Sequence, residues 1–195
     1  MTQVDEGCEA ASAAPSVLRP KPGFVALDRD GTIISYVPYL TRESEMKLIP
    51  GVADGIRLLN EHNIPVYIVT NQSVVGRGML SLEGLNQLHA TLTDLLAEQG
   101  ARINAVFTCT HVPEDGCQCR KPAPGLLERA ALRAGMPIGS GVVIGDSEGD
   151  IRMALSRGAY ALHVQTGVQY ELPRDLGVLS VPDLAAAIDM ILSAR

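Results

Sequence analysis

Short apolar runs alternate with segments of helical periodicity along most of this chain, and the alternation dictates its fold class. The apolar runs are rich in β-branched residues and comprise FVAL (24–27), VYIVTN (66–71), AVFTC (105–109), VVIGD (142–146) and YALHV (160–164). Strands of this kind that are separated by helices pair in parallel through crossover connections, and helices then cover both faces of the sheet. The sequence therefore predicts an α/β fold, a Rossmann-like parallel sheet of about five strands with helices on both faces.

The intervening segments carry apolar residues at helical spacing, and capping residues mark their ends. These predicted helices cover residues 52–63, 80–100, 124–135, 148–158 and 183–194. In the longest of them, Ser81 is suited to cap the first turn and Gly100 to stop the helix. The pattern thus places a helix after every predicted strand.

Composition limits the classes of protein to which the chain can belong. Its 195 residues are 46% hydrophobic and 19% charged, which suits one folded domain, expected here over residues 23–195. The formal charge of −6 argues against a nucleic-acid partner, which selects a basic face. No apolar stretch approaches the ~18 residues that a membrane helix needs. We expect a monomer with no nucleic-acid or membrane partner.

Residues 1–22 differ in character from the remainder of the chain. They contain small residues, three prolines and no basic residue before Arg19. A secretory signal would have a positively charged start and an apolar block. We expect a flexible tail and cytoplasmic residence, where a cluster of cysteines is more typical of a metal site than of disulfides.

Polar residues follow the predicted strands at the point where each one ends. They are Asp28, Asp30, Thr70, Asn71, Cys109, His111 and Asp146. In an open parallel sheet, reactive groups collect beyond the carboxyl ends of the strands. These side chains are therefore expected to form one site.

Two of these strand ends carry paired acids. Asp28 and Asp30, in LDRDGT, are two residues apart and point to the same side where extended geometry persists. Such carboxylates repel unless a cation or a proton lies between them. In VIGDSEGD, Asp146 ends a strand and Asp150 follows four residues later, so one of these acids could complete a magnesium site. Each acid taken alone is equally compatible with an ordinary turn or a helix cap.

Two further motifs offer groups that can hold a phosphate. In VTNQS, Thr70 and Asn71 supply a hydroxyl and an amide, and in CRKPAPG, Arg120 and Lys121 supply cations in a loop stiffened by prolines. Taken alone, the first motif is also typical of a capped turn and the second of solvated surface charge.

The segment CTHVPEDGCQC has the pattern C-x-H-x5-C-x-C. Cys109, His111, Cys117 and Cys119 together provide three thiolates and one imidazole, a complete tetrahedral ligand set for a structural Zn²⁺. Core cysteines or a redox pair are the alternatives. The scattered His62, His89 and His163 are interpreted as surface or core residues without a role in a site.

In this order and spacing, the four motifs resemble those of the haloacid dehalogenase (HAD) superfamily of phosphotransferases, from residue 23 to about residue 192. The resemblance implies that Asp28 is the nucleophile, Asp30 the general acid–base and Lys121 the motif-three lysine. It implies Mg²⁺ held by Asp28, Asp30 and Asp146, and phosphate or substrate contacts from Thr70, Asn71, Gln72, Ser73, Arg120 and Lys121.

The zinc loop directly before CRKP is similar to that of the histidinol-phosphate and heptose-bisphosphate phosphatase branch, which lacks a large cap domain. TNQSVVGRG keeps the Arg77-Gly78 pair of the heptose enzymes but has Val74 where glycine is common. The resemblance implies a Mg²⁺-dependent phosphomonoesterase acting on a small sugar phosphate, with a heptose 1,7-bisphosphate of nucleotide-heptose biosynthesis as the leading substrate. Histidinol phosphate is the nearest alternative. A phospho-acceptor receiver and a zinc-dependent interaction module without turnover are alternatives of a different class.

Overall fold

A parallel β-sheet forms the centre of the molecule in a computed structural model, which describes residues 21–168 and 172–193. Most of the predicted N-terminal tail, with Cys8, lies outside the described residues. Within the described ranges the sheet has six strands in the order β3-β2-β1-β4-β5-β6. They are β1 (Phe24–Leu27), β2 (Val66–Asn71), β3 (Ala105–Cys109), β4 (Gly141–Gly145), β5 (Tyr160–Val164) and β6 (Leu179–Val181).

The sixth strand corrects the expected number of about five. β6 is only three residues long, pairs in parallel with β5 at the edge of the sheet, and exposes two of its residues. A strand this short has neither an apolar run nor a sustained alternation, so the sequence pattern gave no sign of it.

Helices cover both faces of the sheet, as predicted. They are α1 (Val52–Glu61), α2 (Ser73–Gly76), α3 (Leu82–Ala97), α4 (Gly125–Ala134), α5 (Glu148–Leu155) and α6 (Leu184–Ser193). Alternate residues of β1 enter two separate apolar layers: Val25 and Leu27 pack with α1, α3 and α6, whereas Phe24 and Ala26 pack with α4 and α5. The period-two geometry of the strand thus builds one core on each face.

The predicted helix start at Ser81 is confirmed by a side-chain cap. The Ser81 hydroxyl accepts a hydrogen bond from the Gly84 N–H at 3.0 Å, which satisfies one of the free donors in the first turn of α3. This cap fixes the start of α3, the helix that carries His89.

The strand order reverses at β1, which lies between β2 and β4. Leu27, its last residue, is aligned with Ile68 of β2 and Ile144 of β4. The Asp28 N–H then donates to the Ile144 carbonyl at 3.0 Å. Such a reversal opens a crevice at the carboxyl ends of the strands, the usual ligand-binding position in this architecture.

The connection between β1 and α1 stays close to the sheet. It contains one 3-10 turn, Glu43–Glu45, and a bridge that pairs Ile34 with both Asp30 and Leu48. Ile33, Ile34 and Leu40 are buried in the core, so this connection is anchored along its length.

None of the helices in the described ranges combines the length and the apolar character of a membrane-spanning segment.

Candidate active site

A buried lysine and two buried acids lie at the carboxyl edge of the sheet. Lys121 Nζ is 2.6 Å from Asp28 Oδ1, which follows β1, and 2.6 Å from Asp150 Oδ1, in the first turn of α5. The same ammonium group donates to the Val69 carbonyl at 3.0 Å. The three interactions use all three donors of the lysine and hold it between β2 and α5.

Asn71 fixes the loop that carries this lysine. Its side-chain amide donates to the Lys121 carbonyl at 3.1 Å, and its amide oxygen accepts from the Lys121 N–H at 3.0 Å. The predicted polar residue at the end of β2 therefore anchors the backbone of the lysine loop while also lining the cavity described below.

Asp146 joins the other two acids beyond the end of β4. One carboxylate oxygen each from Asp28, Asp146 and Asp150 lie within 4.8 Å of one another. The backbone packs tightly here: a Cβ built on Gly31 would lie 2.5 Å from Asp146 Oδ2, and one on Gly167 would lie 1.8 Å from it. Only glycine allows both loops to approach the carboxylate this closely.

Burial and neighbouring charges shift the pKa values of Asp28, Asp146 and Lys121. Burial is the largest cause and raises the pKa of Asp28 to about 8, with Lys121 opposing it and the neighbouring acids adding to it. Burial and then Asp150 raise the pKa of Asp146 to about 6. Burial disfavours the charge of Lys121, but Asp150 and Asp28 outweigh it, and the pKa of the lysine is raised.

The three acids fit a divalent cation. They provide oxygen ligands, which Mg²⁺ prefers, and they exceed the positive charge of the one lysine between them. A cation would offset the mutual repulsion of these carboxylates. The clustered carboxylates differ from the predicted magnesium ligands, because Asp150 is among them and Asp30 is not.

The Asp30 carboxylate is held by hydrogen bonds from two neighbouring side chains. Arg29 donates to both of its oxygens, from Nε at 3.1 Å and from Nη2 at 3.0 Å. Gln72 Nε2 donates to Asp30 Oδ2 at 2.7 Å and to Thr70 Oγ1 at 2.8 Å. The predicted residues Asp30, Thr70 and Gln72 are thus brought together in one network.

These groups line a cavity of about 480 Å³. Asp28, Asp30, Thr70, Ser73, Lys121 and Asp146 contribute to its walls. Tyr36, Tyr39, Leu40, Arg77, Arg120, Glu148 and Val168 also line it. The Arg77 guanidinium stacks over the Tyr39 ring at 5.7 Å from its centroid, so the connection after β1 and the turn after α2 meet at this cavity.

The predicted zinc ligands converge in a second cluster. Cys109 and His111 therefore do not join the other strand-end residues in one site, as the sequence pattern had suggested. Cys109 Sγ lies 3.6 Å from Cys117 Sγ, which lies 3.5 Å from Cys119 Sγ. His111 Nδ1 is 3.5 Å from the Cys109 sulfur and 3.3 Å from the Cys119 sulfur. Tetrahedral Zn–S bonds of ~2.3 Å imply ligand separations of roughly 3.8 Å, so this set fits Zn²⁺.

Three residues at or beside the site have no definite role in the sequence prediction. Asp150 was only an alternative to Asp146, although four-residue spacing across a helix start can bring two acids together. Arg29 gave no sequence signal of its own. His89 was interpreted as a residue without a site role, yet its Nε2 lies 3.4 Å from Arg29 Nη1. Its place among the leucines of α3 already indicated an inward-facing imidazole.

Comparison with known proteins connects this geometry to a family. A family model described as HAD-hydrolase-like matches residues 118–186. The chain is 40% identical over 146 residues to a D-glycero-β-D-manno-heptose-1,7-bisphosphate 7-phosphatase of Pseudomonas putida, which covers 74% of this chain and 83% of that one. A protein of the same name from Pseudomonas aeruginosa is 35% identical over 173 residues, 87% of this chain and 97% of that one.

A solved structure agrees with these relatives. The D,D-heptose 1,7-bisphosphate phosphatase of B. bronchiseptica, crystallised with magnesium and phosphate, superposes with a TM-score of 0.81 at 32% identity. The match covers 88% of this chain and 99% of that one. The chain therefore belongs to the D-glycero-D-manno-heptose-1,7-bisphosphate 7-phosphatase family of HAD-like hydrolases.

Proposed function

We propose that this protein is a Mg²⁺-dependent phosphomonoesterase that removes the 7-phosphate of D-glycero-D-manno-heptose 1,7-bisphosphate in nucleotide-heptose biosynthesis. The observation that carries the proposal is the buried Asp28–Lys121–Asp150 arrangement beside Asp146, at the reversal of the strand order. The names of the Pseudomonas relatives specify the β anomer, and we extend the proposal to that anomer.

The reaction has two displacements at phosphorus. In the first, an Asp28 carboxylate oxygen attacks the 7-phosphate, the bond from phosphorus to the sugar oxygen breaks, and Asp30 gives a proton to that oxygen. In the second, Asp30 takes a proton from water, the water oxygen attacks phosphorus, and the aspartyl-phosphate bond breaks to release phosphate and restore Asp28. Covalent capture replaces one difficult displacement with two easier ones.

The charges around Asp28 suit this chemistry. A carboxylate that approaches a phosphate dianion is repelled, and the Lys121 ammonium is placed to neutralise part of that charge. When bound by Asp28, Asp146 and Asp150, Mg²⁺ would supply further positive charge against the phosphoryl oxygens. Thr70, Ser73 and the nearby backbone are proposed to hold those oxygens.

The rest of the cavity favours a second phosphate over a cationic group. Arg77 and Arg120 both line it, and the acid that lines it with them, Glu148, is ion-paired with Arg152. Guanidinium groups bind phosphates strongly and would repel the ammonium of histidinol phosphate. This distribution of charge supports a sugar bisphosphate as the substrate.

The proposal also assigns a metal to the segment 109–119. We propose that it holds a structural Zn²⁺ through Cys109, His111, Cys117 and Cys119, which orders the loop that ends in Arg120 and Lys121. Its ligands would leave no open position for substrate. The proposed enzyme is a monomer formed by residues 23–195 that acts in the cytoplasm, where thiols stay reduced and can bind zinc.

Phosphate release under matched conditions tests the proposal. The α and β anomers of the heptose 1,7-bisphosphate, histidinol phosphate and fructose 1,6-bisphosphate are compared with and without Mg²⁺. We expect Mg²⁺-dependent turnover with the highest kcat/KM for the β heptose bisphosphate, and one phosphate released per sugar. Preference for histidinol phosphate would overturn the substrate assignment. One phosphoryl group retained per protein without turnover would instead indicate a receiver, and no reaction at all an interaction module.

A further inference from the structure

Arg29 stands between the two acids of the first motif, yet its side chain is almost completely buried. Only 1% of it is exposed, compared with 18% of the Asp30 side chain. A buried guanidinium is costly unless its donors are satisfied, and truncating one partner of such a pair is strongly destabilising. The positions of its partners therefore indicate what this charge does in the fold.

Two of the three side-chain partners of Arg29 are Asp30 itself and Gln72, which also bonds to Asp30. Arg29 donates to both oxygens of that carboxylate, and Nη2 also donates to Gln72 Oε1 at 2.8 Å. Gln72 in turn donates to Asp30 Oδ2 at 2.7 Å, which closes a three-residue ring of hydrogen bonds. The fork of the guanidinium fixes both the place and the plane of the carboxylate.

His89 supports Arg29 from α3. Its Nε2 lies 3.4 Å from Arg29 Nη1, and the imidazole is buried, with 9% exposed. Burial and then the charge of Arg29 lower the pKa of His89 to about 4, so the ring is neutral at physiological pH and accepts a hydrogen bond from the guanidinium. α3 thereby contacts the first motif through one polar side chain in an otherwise apolar face.

We propose that Arg29, supported by His89 and Gln72, is a positioning residue that fixes the Asp30 carboxylate for proton transfer to the leaving sugar oxygen. This inference rests on the proposed phosphatase activity. In this role Arg29 transfers no proton itself and acts through its hydrogen bonds to Asp30. Asp30 lines the cavity and keeps its exposed edge there, while the bonds from Arg29 and Gln72 prevent rotation of the carboxylate.

The proposal is tested by comparing two substrates whose leaving groups differ in their need for a proton. A sugar alkoxide needs one, whereas acetyl phosphate releases a carboxylate that does not. The quantity compared is kcat/KM, because it reports only the steps up to the first irreversible phosphoryl transfer. Hydrolysis of the aspartyl phosphate comes later and does not affect it. Arg29→Lys is expected to lower this value roughly 10- to 100-fold for the heptose bisphosphate and less than about threefold for acetyl phosphate.

His89 offers a milder perturbation with a matched control. His89→Leu removes the acceptor and is expected to lower kcat/KM for the heptose bisphosphate roughly 3- to 10-fold. His89→Gln keeps an acceptor and is expected to restore most of the activity. His62→Leu changes an exposed histidine directly after α1, outside the cavity lining, and should leave activity unchanged.

A double-mutant cycle provides a second readout that does not depend on the choice of substrate. If Arg29 acts through Asp30, Arg29→Lys will cost little further activity once Asp30 is already Asn. Equal losses on both substrates, or additive losses in the double mutant, would overturn the positioning role. Failure of wild-type protein to hydrolyse the heptose bisphosphate would count against the proposed function, whereas wild-type turnover with additive losses would count against the positioning role alone.

Discussion

Asp28 lies between a buried lysine and two other buried acids. It forms a 2.6 Å ion pair with Lys121 and lies within 4.8 Å of Asp146 and Asp150. The proposed reaction needs this carboxylate as a nucleophile. Its burial also destabilises the fold when the carboxylate is charged.

Replacement of Asp28 by Asn removes the nucleophile with little change in volume. We expect turnover of the heptose bisphosphate to fall at least ~10⁴-fold, because no covalent intermediate can form. The fold should be retained, as judged by circular dichroism and thermal unfolding. Asp54→Asn, a change to an exposed acid on α1, is the control and should keep full activity. Substantial turnover by Asp28→Asn would contradict the nucleophile assignment.

The raised pKa values predict how stability depends on pH without magnesium. An acid whose pKa is higher in the folded chain than in the unfolded chain stabilises the fold while it is protonated, and this contribution is lost as pH rises. In the fold, the pKa of Asp28 is raised from its ordinary value of 3.8 to about 8, chiefly by burial. In magnesium-free buffer we therefore expect its contribution to the free energy of unfolding to fall between those pH values, by at most ~1.4 kcal/mol per pH unit.

Denaturant titrations of wild type and Asp28→Asn across this pH range measure that contribution by difference. The variant should become progressively more stable relative to wild type as pH rises. Added Mg²⁺ should flatten the difference, since a cation favours the charged carboxylate. A difference that does not vary with pH would show that the folded environment leaves Asp28 unperturbed.

At the scale of secondary structure, the loop after β3 connects two parts of the site. The proposed zinc ligands begin with Cys109 at the end of β3 and finish with Cys119, directly before Arg120 and Lys121. The Gly76 N–H at the end of α2 donates to the Thr110 carbonyl at 3.0 Å, so the loop also supports the turn that carries Arg77. A metal that orders this loop would act on stability and on substrate binding together.

Selective removal of zinc, with Mg²⁺ kept in excess, is expected to destabilise the protein because binding energy at a structural metal is folding energy. A loss of about 2 kcal/mol would lower Tm by roughly 4–8 °C in a chain of this size. Metal analysis should find one zinc per chain, and Cys119→Ser should lose it while Cys8→Ser keeps it. An unchanged Tm in the zinc-free protein would contradict a structural role.

The turn after α2 is expected to distinguish a bisphosphate from a monophosphate. Arg77→Ala should raise KM for the heptose 1,7-bisphosphate about tenfold, because a charged hydrogen bond contributes ~1.5–3 kcal/mol. KM for the corresponding 7-monophosphate, which lacks the second phosphate, should change little. Arg133→Ala, at an exposed position of α4, controls for the loss of a surface charge. An equal rise in KM for both substrates would contradict contact with the second phosphate.

Across the whole molecule, the pattern of short apolar runs was sufficient to predict the sheet because buried parallel strands need such runs. The predicted bounds of β1, β2, β3 and β5 match the structure, and β4 is shifted by one residue. β6 escaped prediction because an edge strand of three residues gains its order from pairing with β5, a long-range contact that local sequence does not encode.

The site was predictable to the extent that its residues follow strands. Asp28 and Asp146 follow strands and are predicted to converge, the family resemblance adds Lys121, and the structure brings all three together. Spacing along the chain is compatible with inward positions for Asp150 and His89, but their contacts depend on how α5 and α3 pack against the strand ends. Arg29 carries no sequence signal of its own. Likewise, the separation of the Asp30 carboxylate from the acid cluster follows from a buried ion pair with its own neighbour.

The central claim is that Asp28 captures a phosphoryl group covalently, and acid quenching of a single turnover tests it most directly. Wild-type protein is mixed with the heptose bisphosphate and Mg²⁺, quenched within milliseconds to seconds, reduced with borohydride and mapped by peptide mass spectrometry. We predict homoserine at position 28, formed by reduction of the aspartyl phosphate, in wild type and none in Asp28→Asn. Turnover that leaves position 28 unmodified at every time point, or a phosphoryl group trapped on another residue, would contradict the mechanism.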